Sequence, residues 1–313
     1  MRAACAVLWL AALAALAPSA RAGVYSVSVA GLGGEPDYEQ RFTALAEDLG
    51  RVFKASGGDA HVYTLTGQDA TRARLSETLE DIARHAKPDD DFILILIGHG
   101  SFDGVDYKFN LPGPDISGGE LAALCDRITA KRQLIVNTTS ASGGSIPALE
   151  RPGRAVIAAT KSGTEKNATV FARYWTEALQ DPTADTDKND AISALEAFEY
   201  AANKTAGFYE SQKRLATEHA VFEDTGRGEP VRAPAAESRE GLLLSSFTLV
   251  RIGAGQEAAD NPAKRELLAK KEALEQKIDE LKYGKAAMSE EDYKQQLTAA
   301  LVELAKVQQE LDK

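Results

Sequence analysis

Two short apolar runs, each breaking off into a polar turn, constrain this chain more than any other feature. Phe92-Ile93-Leu94-Ile95-Leu96-Ile97 leads into Gly98-His99-Gly100-Ser101, and about forty residues later Leu134-Ile135-Val136-Asn137 leads into Thr138-Thr139-Ser140-Ala141-Ser142-Gly143-Gly144. An unbroken apolar run suits a strand covered by helices on both faces, whereas a half-exposed strand alternates apolar with polar. Two such strands with helical patterns between them predict a mostly parallel α/β sheet. In open sheets of that kind, sites are built from groups delivered at the carboxyl ends of neighbouring strands.

The rest of the first two hundred residues keeps that rhythm. Val24 to Ala30 reads as a strand, and Asp37 to Lys54 as a helix with Phe42, Leu45 and Leu49 on one face. His61 to Leu65 is the next strand, and Asp69 is placed to cap a helix whose Leu75, Leu79, Ile82 and Ala86 recur at steps of four and three before Pro88. Tyr107 to Leu111 suggests a short hairpin or edge segment, Ile116 to Ile128 a helix holding Cys125, and Ala155 to Thr160 another buried strand. Gly31-Leu32-Gly33-Gly34 follows a strand as a dinucleotide loop would, but Pro36 stands where the third glycine belongs, which excludes that reading.

The order of a His-Gly strand end followed by a nucleophile-bearing strand end resembles the clan CD cysteine peptidases, and within them the legumain-like C13 family, over about residues 23 to 205. The resemblance implies a caspase-like three-layer α/β core. It also implies His99 as general base and acid, Ser140 at the nucleophile position, and the backbone N–H groups of Gly100 and Ser140 as oxyanion donors. Lys161 and Ser162, after the next strand, are placed as cleft walls by the same resemblance, or as an ordinary surface loop by their composition. Ser140 stands where the family has cysteine. A thiol ionises beside an imidazole at neutral pH, whereas a hydroxyl must give its proton to a well-oriented base during attack, and no sequence neighbour offers a carboxylate to orient His99. An α/β-hydrolase would need G-x-S-x-G at the nucleophile, and neither Ser140 nor Ser142 has those flanks. Three functions stay open: an inactive peptidase homologue that binds peptide or protein, a hydrolase using Ser140 and His99, and a calcium-stabilised structural or assembly protein.

Asp185 to Glu196 matches the twelve-residue EF-hand loop at the positions that carry ligands. Asp185, Asp187, Asn189, Ser193 and Glu196 supply side-chain oxygens at positions 1, 3, 5, 9 and 12; Ala191 supplies a carbonyl at 7 and Ile192 the apolar residue at 8. Asp190 stands at position 6, where glycine is usual because the turn needs positive φ. Helical patterns flank the loop, with Val170 to Leu179 before it and Leu195 to Ala201 after it. The cofactor expected is a structural Ca²⁺; the alternative is a capped, Asp-rich turn that holds no metal.

Residues 1–22 carry Arg2, an apolar run from Ala6 to Leu16 and Ala20-Arg21-Ala22, the pattern of a signal peptide cleaved before Gly23, so the expected location is periplasmic or secreted. Without that segment 34 basic residues face 47 acidic ones, a net charge of −13, which argues against nucleic acid as a partner. Cys125 alone remains after cleavage, on the apolar face of its helix, and is expected in the core. Residues 206–256 read as an extension packing on the core, with a helix near Ser211 to His219 and a strand-like Leu242 to Ile252. Residues 257–313 read as a coiled-coil-like antiparallel hairpin: Leu267, Leu274, Ile278 and Leu281 before Gly284, then a Ser289 cap and Tyr293, Leu297, Ala300, Leu304, Val307 and Leu311. Its seam predicts docking on its own core, on a second copy or on another protein.

Overall fold

The apolar runs become strands buried on both faces. The computed structural model describes residues 23–56 and 59–313; the expected signal peptide lies outside the described residues. In chain order the first half runs β1 (Val24–Ala30), α1 (Pro36–Ala55), β2 (Ala60–Leu65), α2 (Arg72–His85), β3 (Asp91–Ile97), β4 (Gly100–Phe102), β5 (Tyr107–Phe109), β6 (Ile116–Ser117), α3 (Gly118–Cys125) and β7 (Arg132–Asn137). It continues through α4 (Ile146–Leu149), β8 (Arg154–Ala158), α5 (Phe171–Ala178), β9 (Ala191–Ser193), α6 (Ala194–Ser211) and β10 (Val221–Glu223). A six-stranded sheet has the order β10-β8-β7-β3-β1-β2, parallel except for β10, which pairs antiparallel with β8. This is the three-layer, mostly parallel α/β fold expected from the sequence.

Strand pleating sorts the core into two layers. Ile93, Ile95 and Ile97 face α1, α5 and α6, joining Leu49, Phe53, Trp175 and Phe198. Phe92, Leu94 and Leu96 face the other way onto Leu75 and Leu79 of α2 and Leu121 of α3. Each such side chain contributes about 1.5–3 kcal/mol on burial, so β3 and β7 lie where the sheet is most strongly held. Cys125 is fully buried in the second layer, and burial pushes its thiol up to about 12, so it packs as a core residue.

Four local expectations are corrected. Asp69 closes a single turn of 3₁₀ helix, and Thr71, whose backbone is extended, caps α2 by accepting from the Arg74 N–H at 3.2 Å. Ile116 pairs with Phe109 in a small β4-β5-β6 sheet, so the next helix starts only after Ser117 forms a capping box with Glu120, and it ends at Cys125. Residues 212–219 are not helical: α6 ends at Ser211 and Lys213 turns the chain at φ 53°. Within Leu242 to Ile252 the chain forms a helical turn, α7 (Leu242–Ser245), before β11 (Thr248–Arg251). The buried Asp224 carboxylate accepts from the Gly241, Leu243 and Leu244 N–H groups and so fixes that turn.

The chain then runs through α8 (Gly253–Asp260), α9 (Arg265–Gly284) and α10 (Glu290–Leu311). Helices α9 and α10 form the expected antiparallel hairpin: Leu268 meets Val307 and Leu311 at one end, while Ile278 and Leu281 meet Ala300 toward the other. Ser289 caps α10 by accepting from the Asp292 N–H at 3.1 Å. Within the chain, Arg251 of β11 holds Glu272 of α9 through contacts of 2.6 and 3.0 Å. Among the described residues no helix is long and apolar enough to cross a membrane.

Candidate functional site

Adjacent strands β3 and β7 end side by side, with Leu96 opposite Asn137. The two polar turns therefore meet. Gly100 lies against the turn so closely that a Cβ on it would sit 2.5 Å from the Ser140 carbonyl oxygen and 2.6 Å from both Thr139 Oγ1 and the Tyr107 ring. Glycine at this position is a steric requirement. The Gly100 N–H donates to Ser140 Oγ at 3.1 Å, and that hydroxyl donates to the Gly100 carbonyl at 3.0 Å. Ser140 is 3 % exposed, so its hydroxyl is buried with both hydrogen-bonding functions satisfied by one residue.

Hydroxyls and amides hold the turn from behind. Tyr107 Oη donates to Asn137 Oδ1 at 3.2 Å and lies 2.7 Å from Thr139 Oγ1, while Asn137 Nδ2 donates to Ser145 Oγ at 3.0 Å. Burial raises the Tyr107 phenol far above its ordinary range, keeping it a neutral hydrogen-bonding group. Ala141, next to Ser140, adopts φ 56°, a left-handed conformation costing about 1–2 kcal/mol for a residue with a Cβ. Its N–H donates to the Glu165 carbonyl at 2.7 Å, which pins the conformation.

His99 faces a different set of groups. Its ring meets Tyr38 and Phe42 of α1 edge-on, with centroids 4.8 and 5.2 Å away. Burial lowers its pKa, with the Gly33 backbone and the nearby Glu35 carboxylate acting in the opposite direction. Among the hydrogen bonds of the described residues, none joins the His99 ring to Ser140. None joins it to another group either; the nearest polar influence on the ring is the Gly33 backbone on the turn that follows β1, next to β3. The Gly-rich turn at a neighbouring strand end was the available sequence signal for it.

The loop after β8 closes the other side. A Cβ on Gly143 would lie 2.3 Å from the Ser162 nitrogen and 2.5 Å from the Lys161 carbonyl carbon, so Lys161 and Ser162 pack directly on the turn behind Ser140. The Glu165 carboxylate accepts from the Lys161 N–H at 3.0 Å and the His219 N–H at 3.1 Å, and contacts His219 Nδ1. His219 thus pairs with an acid beside the turn. Nothing in the sequence linked the two, because 54 positions separate them. Next to it, the buried Glu218 accepts from the Val170 and Phe171 N–H groups at 2.8 and 3.2 Å, capping α5, and from Tyr209 Oη at 2.9 Å.

The acidic loop forms a second centre. Ligand oxygens of Asp185, Asp187 and Glu196 lie within 4.8 Å of one another. Asp185 accepts from the Asn189 and Asp190 N–H groups, Asp187 from Asn189, and Asn189 Oδ1 from Ala191 at 2.9 Å, so successive side chains turn inward on one centre. Glu196 accepts from Thr186 and Ser193, closing the loop end to end, and Ser193 also caps α6. Asp190, in the glycine position, takes φ 66°, the conformation that position requires. Desolvation by the surrounding chain, then repulsion from Glu196 and Asp185, push the Asp187 carboxyl up to about 6. The donor set is all oxygen and strongly anionic, which fits a hard divalent cation such as calcium: Asp185, Asp187, Asn189 and Glu196 by side chain and Ala191 by carbonyl.

No protein-family model and no curated protein sequence matches the chain. Solved structures give likenesses at low identity. The Drosophila initiator caspase Dronc is similar at 12 % identity and a TM-score of 0.43, over 71 % of this chain and 84 % of that one. Protein GSU0716 from Geobacter sulfurreducens is similar at 14 % identity and a TM-score of 0.46, over 74 % of this chain and all of that one. Caspase-1 from Spodoptera frugiperda is similar at 11 % identity and a TM-score of 0.43, over 65 % and 86 %.

Proposed function

We propose that the protein is an exported, catalytically inactive homologue of the legumain-like C13 peptidases, which binds peptide or protein at its strand-end cleft and carries a structural calcium in loop 185–196. The carrying observation is the state of Ser140: its hydroxyl is buried and bonded in both directions to Gly100, while the His99 ring packs edge-on against Tyr38 and Phe42 of α1 with no hydrogen bond to Ser140. A serine nucleophile needs its proton taken by an oriented base. The Gly100 N–H, one of the two oxyanion donors the resemblance implies, is engaged by the same hydroxyl. A cysteine at position 140 would not need that base to the same degree, since an imidazole within reach favours its thiolate.

The test is cleavage of a diverse peptide library in calcium, read by mass spectrometry, for the mature protein and its Ser140→Cys variant. The expected outcome is no cleavage by the natural protein, no labelling of Ser140 by a serine-directed phosphonate, and retention of a subset of peptides. Cleavage by the natural protein that His99→Ala abolishes would overturn the reading in favour of a serine hydrolase. Cleavage by the cysteine variant alone would identify an intact cleft disarmed at one atom.

A further inference from the structure

The acidic loop is also the surface on which the C-terminal arm is docked. Its positions 7 to 9, which form β9, pair antiparallel with β11, matching Ala191 with Arg251, Ile192 with Val250 and Ser193 with Thr248. Its position-6 carbonyl, on Asp190, accepts from the Ile252 N–H at 2.9 Å, and α8 is packed so tightly there that a Cβ on Gly255 would lie 2.5 Å from the same oxygen. Its position-5 carbonyl, on Asn189, accepts from Lys271 Nζ of α9. Lys271 is 7 % exposed and lies 3.4 Å from Glu275 one turn along the helix. Between loop and helix is a cavity of about 400 Å³ with Asp187, Asp190, Glu196, Glu199 and Arg251 on the core side and Lys271, Glu272, Glu275, Asp279 and Lys282 on the helix side.

Arg251 pairs with Glu272 and Lys282 with Asp279; the remaining carboxylates on the two walls repel across such a space, and the buried ammonium of Lys271 offsets part of that charge. A divalent cation in the loop would neutralise the core-side wall. It would also hold the Asn189 and Asp190 carbonyls in the orientation that Lys271 and Ile252 use. We propose that cation binding by loop 185–196 and docking of the arm formed by β11 and α8 to α10 are one coupled equilibrium, making the hairpin a calcium-dependent arm. This rests on the calcium reading of the loop. Coupling of this kind is reciprocal: whatever calcium does for the arm, the docked arm does for calcium affinity.

The experiment combines calcium titration by calorimetry with amide hydrogen exchange of the full mature chain, in calcium and in chelator. In wild type, exchange in β11 and α9 is expected to slow by up to about 100-fold when calcium exceeds its Kd about 100-fold, because a ligand bound to the docked state alone adds that factor. Gly255→Val, which forces α8 away from Asp190 without changing charge, is expected to weaken calcium binding by about fivefold or more and to erase the gain in protection. Calcium binding to wild type with α9 exchange unchanged would overturn the coupling and leave the calcium site standing. Absence of calcium binding to wild type would overturn both. Because the wild-type comparison is decisive alone, a poorly folding variant does not remove the test.

Discussion

The strand-end turns and the acidic loop are both polar centres set against an apolar core, yet they solve opposite problems. At the strand ends most of the buried polar groups pair with one another: Ser140 with Gly100, Tyr107 with Asn137 and Thr139, and Glu218 with the start of α5, while the Asn110 amide oxygen beside His99 is left without a partner among the described residues. In the loop, three carboxylates converge within 4.8 Å, Glu272, Glu275 and Asp279 of α9 line the same cavity, and one of the converging groups is pushed up to about 6. The difference teaches that backbone N–H groups can satisfy a carboxylate's hydrogen-bonding needs without cancelling its charge. A centre can be fully bonded and still carry uncompensated negative charge.

The largest expected effect attacks the strand-end centre. Gly100→Ala places a methyl against Ser140, Thr139 and Tyr107, and is expected to cost about 3 kcal/mol in chemical denaturation. A loss below about 1 kcal/mol would mean that the turns part easily and the centre is not rigid. Next comes the acidic loop: calcium at about 100-fold above its Kd is expected to stabilise the fold by about 2.7 kcal/mol and raise Tm by about 5 °C. An unchanged melting curve would erase the contrast between the regions. Glu218→Ala, which uncaps α5 and strands the Tyr209 hydroxyl, is expected to cost about 2 kcal/mol whether or not calcium is present.

Smaller effects sharpen the comparison. Ala141→Gly relieves a left-handed alanine and is expected to stabilise by up to about 1 kcal/mol; destabilisation would show that the methyl's packing outweighs the strain. The two regions should also respond to pH with opposite sign. His99 has a folded pKa below its ordinary value, so its contribution is lost as pH falls below about 6.5 and recovered as pH rises. Asp187 has a folded pKa above its ordinary value, so stability at that group declines as pH rises from about 4 to about 6. Melting curves against pH in chelator, for wild type, His99→Gln and Asp187→Asn, separate the two; an Asp187→Asn variant with the wild-type slope would refute the assignment.

Much of the core was legible because strands buried on both faces leave unbroken apolar runs. Val24–Ala30 and the run ending at Ile97 needed no tertiary information. The antiparallel hairpin was equally plain from its heptads, Gly284 and the Ser289 cap. Short elements misled where one residue's backbone decided them. Ile116 looks like the start of a helix until its pairing with Phe109 is known, and Leu242 looks like strand until Asp224 caps it from a distant turn. At the strand ends, the meeting of His99's turn with Ser140's followed from the motif, whereas Tyr38, Phe42, Gly33 and the Glu165–His219 pair did not.

The sequence by itself determined the layered α/β class, the two strand-end turns and the acidic loop, because each is written in local periodicity or in spacing within a dozen residues. Tertiary structure decided what those elements face. It turned the Ser140 hydroxyl onto Gly100 and the His99 ring onto α1, and it laid Lys271, Glu275 and Gly255 against a loop some sixty to ninety positions earlier. Such contacts are fixed by how layers pack and not by neighbouring residues, so no pattern along the chain encodes them locally.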